Sequence, residues 1–542
     1  MERIDCDVLI VGGAAAGIRA ALEVSAVRPD LYVLMVADSR CEVGGSTNMV
    51  ASEALGINAP FDYEHDGDTV EIFENDMIQT GGGLAEPKLC GLIARESADR
   101  VLELMDMGLV FHSSNGRPHQ KKLSGCTKAR SLTCGGDTGR EIVRVLKMAA
   151  IQNGVKILEN IKIISLFTDE NGAVSGAYGI ILQQSRVVFI STCAVVLATG
   201  GSPGMFRLNV SSPTQTGDGW AMAYGVGCKF VNMEFFQCGP AVAKQGLKFI
   251  IHSHIWSFKP RLTNSNGIDF LESYCGSKAL AAKALELKAM SYPFSVRTDS
   301  KYVDIAIFKE IEEGRATPNG GVWFDVTHIP KEKLRQRVPI TYDTLLGCGI
   351  DLAVHPIELQ IAVQNFNGGI LIDEDGFTGI EGLYAAGEVS GGVHGADRPG
   401  GNNLTDTQVF GYRAGQAAAL RTRFGNKNTR AKDMDIASML ASEDELKIIK
   451  ESEKIYFRYM TIIRNKAGIQ KVFDFIDEHD KKAVSVQLKN RLTVGRILAQ
   501  AILIREESRG THYREDYPDN DDRWCRRIVL SKGSDGFPIE SS

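Results

Sequence analysis

The sequence predicts an α/β protein: a doubly wound, Rossmann-like domain with an inserted α+β cap, followed by a helical domain. Three observations carry this. An apolar, β-branched run at 7–11 (DVLIV) meets a glycine turn, a helix-like segment at 12–23 and a second apolar run at 31–36 (LYVLMV). That is the strand–turn–helix–strand order of a dinucleotide-binding unit. Two later apolar runs, at 194–201 (AVVLATGG) and 382–388 (GLYAAGE), also meet glycines, as strands do when they feed ligand-binding turns at the carboxyl edge of a parallel sheet. Beyond about residue 425 the glycines thin out, and charged segments of helical period at 443–458 and 481–507 take over.

Composition sets the limits. At 542 residues the chain exceeds the roughly 100–200 residues of one domain. Hydrophobic residues at 44% and charged residues at 24% are ordinary globular usage, which excludes disordered, collagen-like and coiled-coil architectures. Lys and Arg number 61 against 67 Asp and Glu, a net charge of −6, so no nucleic-acid partner is expected. The 56 glycines exceed the usual ~7% of a chain and fit tight turns and close approaches of backbone to a ligand.

The 11 cysteines are scattered and never form a C-x-x-C pair. Zinc and iron–sulfur sites need clustered thiolates, so neither a metal site nor a disulfide framework is expected. The start, MERIDCD, runs into a strand without a basic segment or cleavage site. No run approaches the roughly 20 apolar residues of a membrane span. A cytoplasmic location without direct membrane insertion is the expectation.

The domain reading follows the composition. Residues 1–235 and 346–425 form a discontinuous nucleotide-binding domain, and 236–345, with mixed polar and aromatic segments, form the cap. Residues 426–510 form the helical domain and 511–542 a polar tail. The middle glycine of the G-x-G-x-x-G fingerprint is Ala14. Taken alone, the turn fits dinucleotide binding or a purely structural role.

Five segments together resemble the flavoprotein subunits of the succinate dehydrogenase, fumarate reductase and L-aspartate oxidase superfamily. They are the turn at 12–17; GGST at 44–47 with GINA at 56–59; SPTQTGDG at 212–219 leading to NMEFFQ at 232–237; GLYAAGE with HGADRPGGNNL at 394–404; and ESRGTHYREDYP at 507–518. The resemblance implies FAD. Gly12, Gly13, Ala14, Ala15 and Gly17 would set amides and a helix N-terminus against the pyrophosphate. Gly45, Ser46 and Thr47 match residues near the phosphates and flavin. Gly217 and Asp218 match the isoalloxazine or dinucleotide side, and Glu388 a carboxylate that accepts from ribityl or ribose hydroxyls. Asn402, Asn403 and Leu404 match the stretch whose amides contact the flavin ring. Asp38, beside Ala37 at the fingerprint's acidic position, is either a ribose ligand or a solvated carboxylate. Relatives with covalent FAD use a histidine at the position of Ser46, which cannot form that link, so non-covalent FAD is expected.

The resemblance also exposes departures. Relatives that handle dicarboxylates clamp them with arginines and histidines and move a proton through a further arginine. Gly239 stands where one histidine belongs, Gln364 where the other does, and Ser300 at the proton-carrying position, with Arg297 three residues earlier. Neither glutamine nor glycine replaces an imidazole, and arginine is the residue of bidentate carboxylate recognition. Arg398 is kept and is the expected substrate clamp. Arg297 is a candidate proton carrier or a surface ion pair, and His394 a catalytic or a structural group. Cys238 fits a pocket filler or a thiol. His252 and His254 face either the cap interior or solvent. Arg509 and His512 tie domains together or touch substrate.

The expected function is hydride transfer between non-covalent FAD and a small, carboxylate-bearing substrate other than fumarate or succinate. Electrons would pass to or from an external acceptor or donor, for which an iron–sulfur subunit is one candidate. Two rivals remain: an electron-relaying flavoprotein subunit that binds no organic substrate, and an adenylylsulfate-reductase-like flavoprotein.

Overall fold

The computed structural model describes residues 1–49, 52–53, 55–114, 116–244, 246–422 and 434–541. Five parallel strands form the nucleotide-binding sheet, in the order Leu383–Ala385, Ala194–Leu197, Val8–Val11, Val33–Ala37 and Lys156–Glu159. Every residue of Val8–Val11, Val33–Ala37 and Ala194–Leu197 is buried. A parallel strand covered on both faces has no solvent side to mark with polar residues, so it reads as an unbroken apolar run. Helix Ala15–Val27 connects the second and third strands in chain order, Val8–Val11 and Val33–Ala37, and packs along helix Asn402–Arg421. A second sheet, Glu2–Asp5, Arg186–Ser191, Val174–Ile181 and Ile161–Thr168, brings Lys162 toward the first.

Residues 236–345 supply helices Lys278–Lys288 and Lys301–Glu312, which pack on each other. They also supply three strands of a four-stranded antiparallel sheet: Phe236–Val242, Val322–Asp325 and Arg261–Thr263. The fourth strand, Ile357–Phe366, comes from beyond residue 345 and pairs with Phe236–Val242 along its length. Cap and nucleotide-binding segments therefore share a sheet, and that sheet carries both Gln237 and Gln364 to the glycine-rich turns.

Helices Glu443–Met460, Lys466–Asp480 and Val486–Ile504 follow. The first starts on a reciprocal Ser442–Glu445 capping box, an arrangement worth about 1 kcal/mol. The expected boundary at 425/426 lies outside the described residues. Within 511–542 the strand Val529–Lys532 pairs with Phe230–Val231, and Ile528 and Leu530 are fully buried. The end of the chain is thus stitched into the nucleotide-binding region. No helix among the described residues is long and apolar enough to cross a membrane.

Candidate active site

A cleft of about 1400 Å³, its open mouth included, lies at the carboxyl ends of the parallel strands, where open α/β sheets bind ligands. Its floor is backbone. Gly12 has a φ of 125°, and a Cβ there would stand 2.2 Å from the Ala198 carbonyl oxygen. A Cβ on Gly17 would stand 1.9 Å from the Gly12 oxygen. With no side chain at either point, the first amides of helix Ala15–Val27 face the cleft, an arrangement suited to a phosphate. Ala14 lines the cleft despite its methyl group.

Polar groups surround this floor. Ser46 Oγ donates to Gln215. Asp218 pairs with Lys162 Nζ at 2.8 Å and accepts from Thr216 (2.7 Å) and Asn490 (2.9 Å). Burial alone would raise the Asp218 carboxyl, but the Lys162 charge and these donors hold it below its usual range. Glu388 accepts from the Phe366 amide at 3.0 Å. Burial pushes its carboxyl up to about 7, against the pull of the Phe366 and Gly201 amides. Thr199 Oγ1 and Asp406 Oδ1 line the cleft and are buried without a hydrogen-bond partner. A glycine cradle at a helix N-terminus, a lysine, a buried carboxylate and unpartnered oxygens together fit a ligand with phosphates and hydroxyls. None of the described lining residues is a histidine.

Leu55, Gln364, Asn403 and Leu404 line both this cleft and a second cavity beneath the cap. Gln237 and Gln364 reach the cavity from the paired strands, Arg398 from the 394–404 turn, and His252, His254 and Tyr292 from the cap. Arg337 and Lys122 stand exposed at its edge. Arg398 is buried; its Nη2 donates to Gln237 Oε1 (2.8 Å) and its Nη1 to the Pro399 carbonyl (2.9 Å). Burial lowers its guanidinium to about 10 against the pull of nearby carboxylates, so it stays cationic at neutral pH. His252 is pushed down to about 3 by burial and by the charges of His254 and Arg398, so it is neutral there. The Tyr292 ring lies 4.7 Å from the His252 ring. A Cβ on Gly239 would stand 2.7 Å from the Tyr292 hydroxyl, so the phenol fills the space a side chain at 239 would need.

The family model described as FAD binding domain matches residues 7–404, and the one described as Fumarate reductase flavoprotein C-term matches 481–540. The chain belongs to the succinate dehydrogenase/fumarate reductase flavoprotein superfamily. Similar proteins include a subunit of the fumarate reductase (CoM/CoB) of Methanothermobacter marburgensis, 30% identical across 98% of both chains. L-aspartate oxidase of Yersinia pestis is 27% identical over 95% of this chain and 96% of its own. Among solved structures, Sdh1 of Mycobacterium smegmatis matches with a TM-score of 0.85 at 28% identity, covering all of this chain and 94% of the other. An adenosine-5-phosphosulfate reductase shares the fold, with a TM-score of 0.72 at 18% identity. This flavoprotein is an FAD-dependent oxidoreductase.

The residues expected at FAD divide cleanly. Gly12, Gly13, Ala14, Asp38, Gly45, Ser46, Thr47, Gly217, Asp218, Glu388, Asn403 and Leu404 line the flavoprotein's cleft. Ala15 and Gly17 do not; they lie inside the first helix, and Gly17 acts through its approach to Gly12. Asn402 is fully buried and accepts from Asn58 Nδ2 at 2.5 Å.

Two of the three expected catalytic residues stand back from the cavity beneath the cap. Arg297 closes its fork on Asp397 Oδ2, with Nε at 3.0 Å and Nη2 at 2.9 Å. Asp397 also accepts from Gln237 Nε2 (3.0 Å) and the Arg398 amide (2.8 Å). Arg297 therefore positions the residues around Arg398 and lines neither cavity. His394 also lines neither; its Nε2 lies 3.3 Å from Asp406 Oδ2. Burial outweighs that carboxylate and lowers its imidazole. Ser300 is fully buried with its Oγ 2.8 Å from Thr298 Oγ1. Cys238 is buried outside both cavities, and burial pushes its thiol up to about 12. Arg509 is held by Glu507 and the Gly82 carbonyl, and His512 is buried beside Arg464. The reading from sequence missed Lys162 in the cleft and Gln237, Tyr292, Arg337 and Lys122 at the cavity. Gln237 had a signal, its place in the NMEFFQ segment; the others had none, because the cap or a separate sheet or loop delivers them.

Proposed function

We propose that the flavoprotein exchanges hydride between non-covalently held FAD and a small organic carboxylate other than fumarate or succinate. FAD supplies the hydride chemistry when bound. The chain's own residues bind and orient the substrate and exclude water. One observation carries the reading: Arg398, a buried permanent cation held from two sides, lines a cavity that shares Gln364, Asn403 and Leu404 with the FAD cleft. Such a guanidinium holds one carboxylate firmly. A second carboxylate deep in the cavity would meet Tyr292, neutral His252 and Gln364, and a buried charge without a counter-charge is costly. The absence of histidine among the described cleft residues supports non-covalent FAD.

Electrons pass to or from an external partner in this proposal, and an iron–sulfur subunit is the partner class we favour. Among the described residues no group of three His, Cys, Asp or Glu is set to hold a metal, and the Methanothermobacter relative is named as a subunit. A cytoplasmic location completes the proposal. The test is anaerobic reduction and reoxidation of the bound flavin, followed by absorbance, across a panel of enoic, hydroxy and amino acids that includes fumarate and succinate. Response to a substituted monocarboxylate but not to fumarate or succinate supports the reading. Comparable rates with fumarate or succinate overturn the substrate assignment. Exchange with a partner protein alone favours the electron-relay role.

A further inference from the structure

We infer that His252 is the second deep substrate contact, opposite Arg398, and that the cavity takes a carboxylate whose far end is polar but uncharged, such as an amide, ketone or hydroxyl. The inference rests on the preceding reading of the cavity. Three residues that line this cavity each keep a solvent-excluded polar atom without a hydrogen-bond partner: His252 Nε2, Arg398 Nε and Oε1 of Gln364, which the cavity shares with the cleft. Excluded polar groups in folded proteins are nearly always bonded, because leaving one unpaired forfeits its hydration. Three such residues on one cavity point to a polar ligand there, met after small side-chain rotations. They are also chemically unequal. Arg398 offers one permanent charge, whereas His252 and Gln364 offer neutral donors and acceptors.

The surroundings of His252 keep it neutral. Tyr292 covers its ring, and the positive Arg398 and neighbouring His254 both oppose its protonation. Gly239 makes this packing possible, since any side chain there would strike the Tyr292 ring that buttresses His252. A site built to hydrogen-bond a neutral group rejects a charged one that it cannot neutralise. His252 is thus a specificity-determining residue of the deep cavity, while Arg337 and Lys122 sit exposed at its edge.

The test titrates holoenzyme with fumarate and with fumaric acid monoamide, reading the perturbation of flavin absorbance rather than turnover. The two probes share a carbon skeleton and differ in one charge. Wild-type protein should bind the monoamide about tenfold more tightly than fumarate. His252→Leu should remove that preference by weakening the monoamide about tenfold, and His252→Gln, which keeps a donor near the Nε2 position, should restore most of it. Fumarate binding as tightly as the monoamide, or a preference unchanged in His252→Leu, overturns the inference. If that happens while Arg398→Lys still weakens both acids, the cavity reading survives alone. If neither acid perturbs the wild-type flavin, both fall.

Discussion

In the cleft proposed to hold FAD the limiting contacts are made by backbone. Gly12 and Gly17 come within 2.2 and 1.9 Å of carbonyl oxygens when a Cβ is added, and neither has a substitute. In the adjoining cavity the limiting contacts are made by side chains from separate segments: Gln237, His252, Tyr292, Gln364 and Arg398. A backbone cradle is written in a short contiguous motif and tolerates almost no change. A cavity assembled from separate strands and loops can exchange its chemistry while the cradle stays intact. Gly239 and Tyr292 illustrate this, since the space left by a missing side chain on one strand is filled by a phenol from a cap loop.

The contrast predicts separable failures, the largest in the cleft. Gly12→Val should leave less than about one-tenth of the normal FAD per chain, because its branched side chain collides with Ala198 and strains a φ that L-residues rarely adopt. Flavin absorbance against protein concentration measures this. Arg398→Ala should cost on the order of 2–4 kcal/mol, roughly 30- to 1000-fold in kcat/KM. Gly239→Ala should cost about tenfold in kcat/KM with FAD content unchanged, since its methyl displaces Tyr292 without touching the cleft. Equal loss of FAD in Gly239→Ala would erase the distinction between the two regions.

The smallest effect is on pH. The Glu388 carboxyl is raised from 4.5 to about 7 in the fold, so the folded state binds the extra proton. Its contribution to stability is complete below about 4.5 and is lost as pH rises through about 7. Flavin-free wild type should therefore lose on the order of 2 °C more in Tm between pH 5 and 8 than Glu388→Gln does. Parallel melting curves at the two pH values check this.

The parallel sheet is legible in the sequence because doubly covered strands leave unbroken apolar runs, and the cleft is legible because its glycines and helix start are consecutive. Strand Val529–Lys532 is not: its apolar stretch, Ile528 to Leu530, is only three residues long and is flanked by Arg527 and by Ser531 and Lys532. For Arg297 and His394 the sequence leaves a catalytic and a structural role open, because it reveals the type of charge but not the nearest counter-ion. Asp397 takes the Arg297 fork, whereas His394 is buried with its Nε2 3.3 Å from Asp406 Oδ2 and its imidazole lowered by that burial. Tyr292 carries no signal at all, since its role depends on which strand the cap loop meets.

The central claim is that FAD is held by the cleft and substrate by Arg398, independently. The most direct measurement counts bound flavin and the single-turnover rate per bound flavin on one preparation of Arg398→Ala, with a substrate from the acid panel. Near-stoichiometric FAD with a rate reduced at least about thirtyfold is the predicted result. A normal rate per bound flavin, or loss of flavin in proportion to activity, would contradict it.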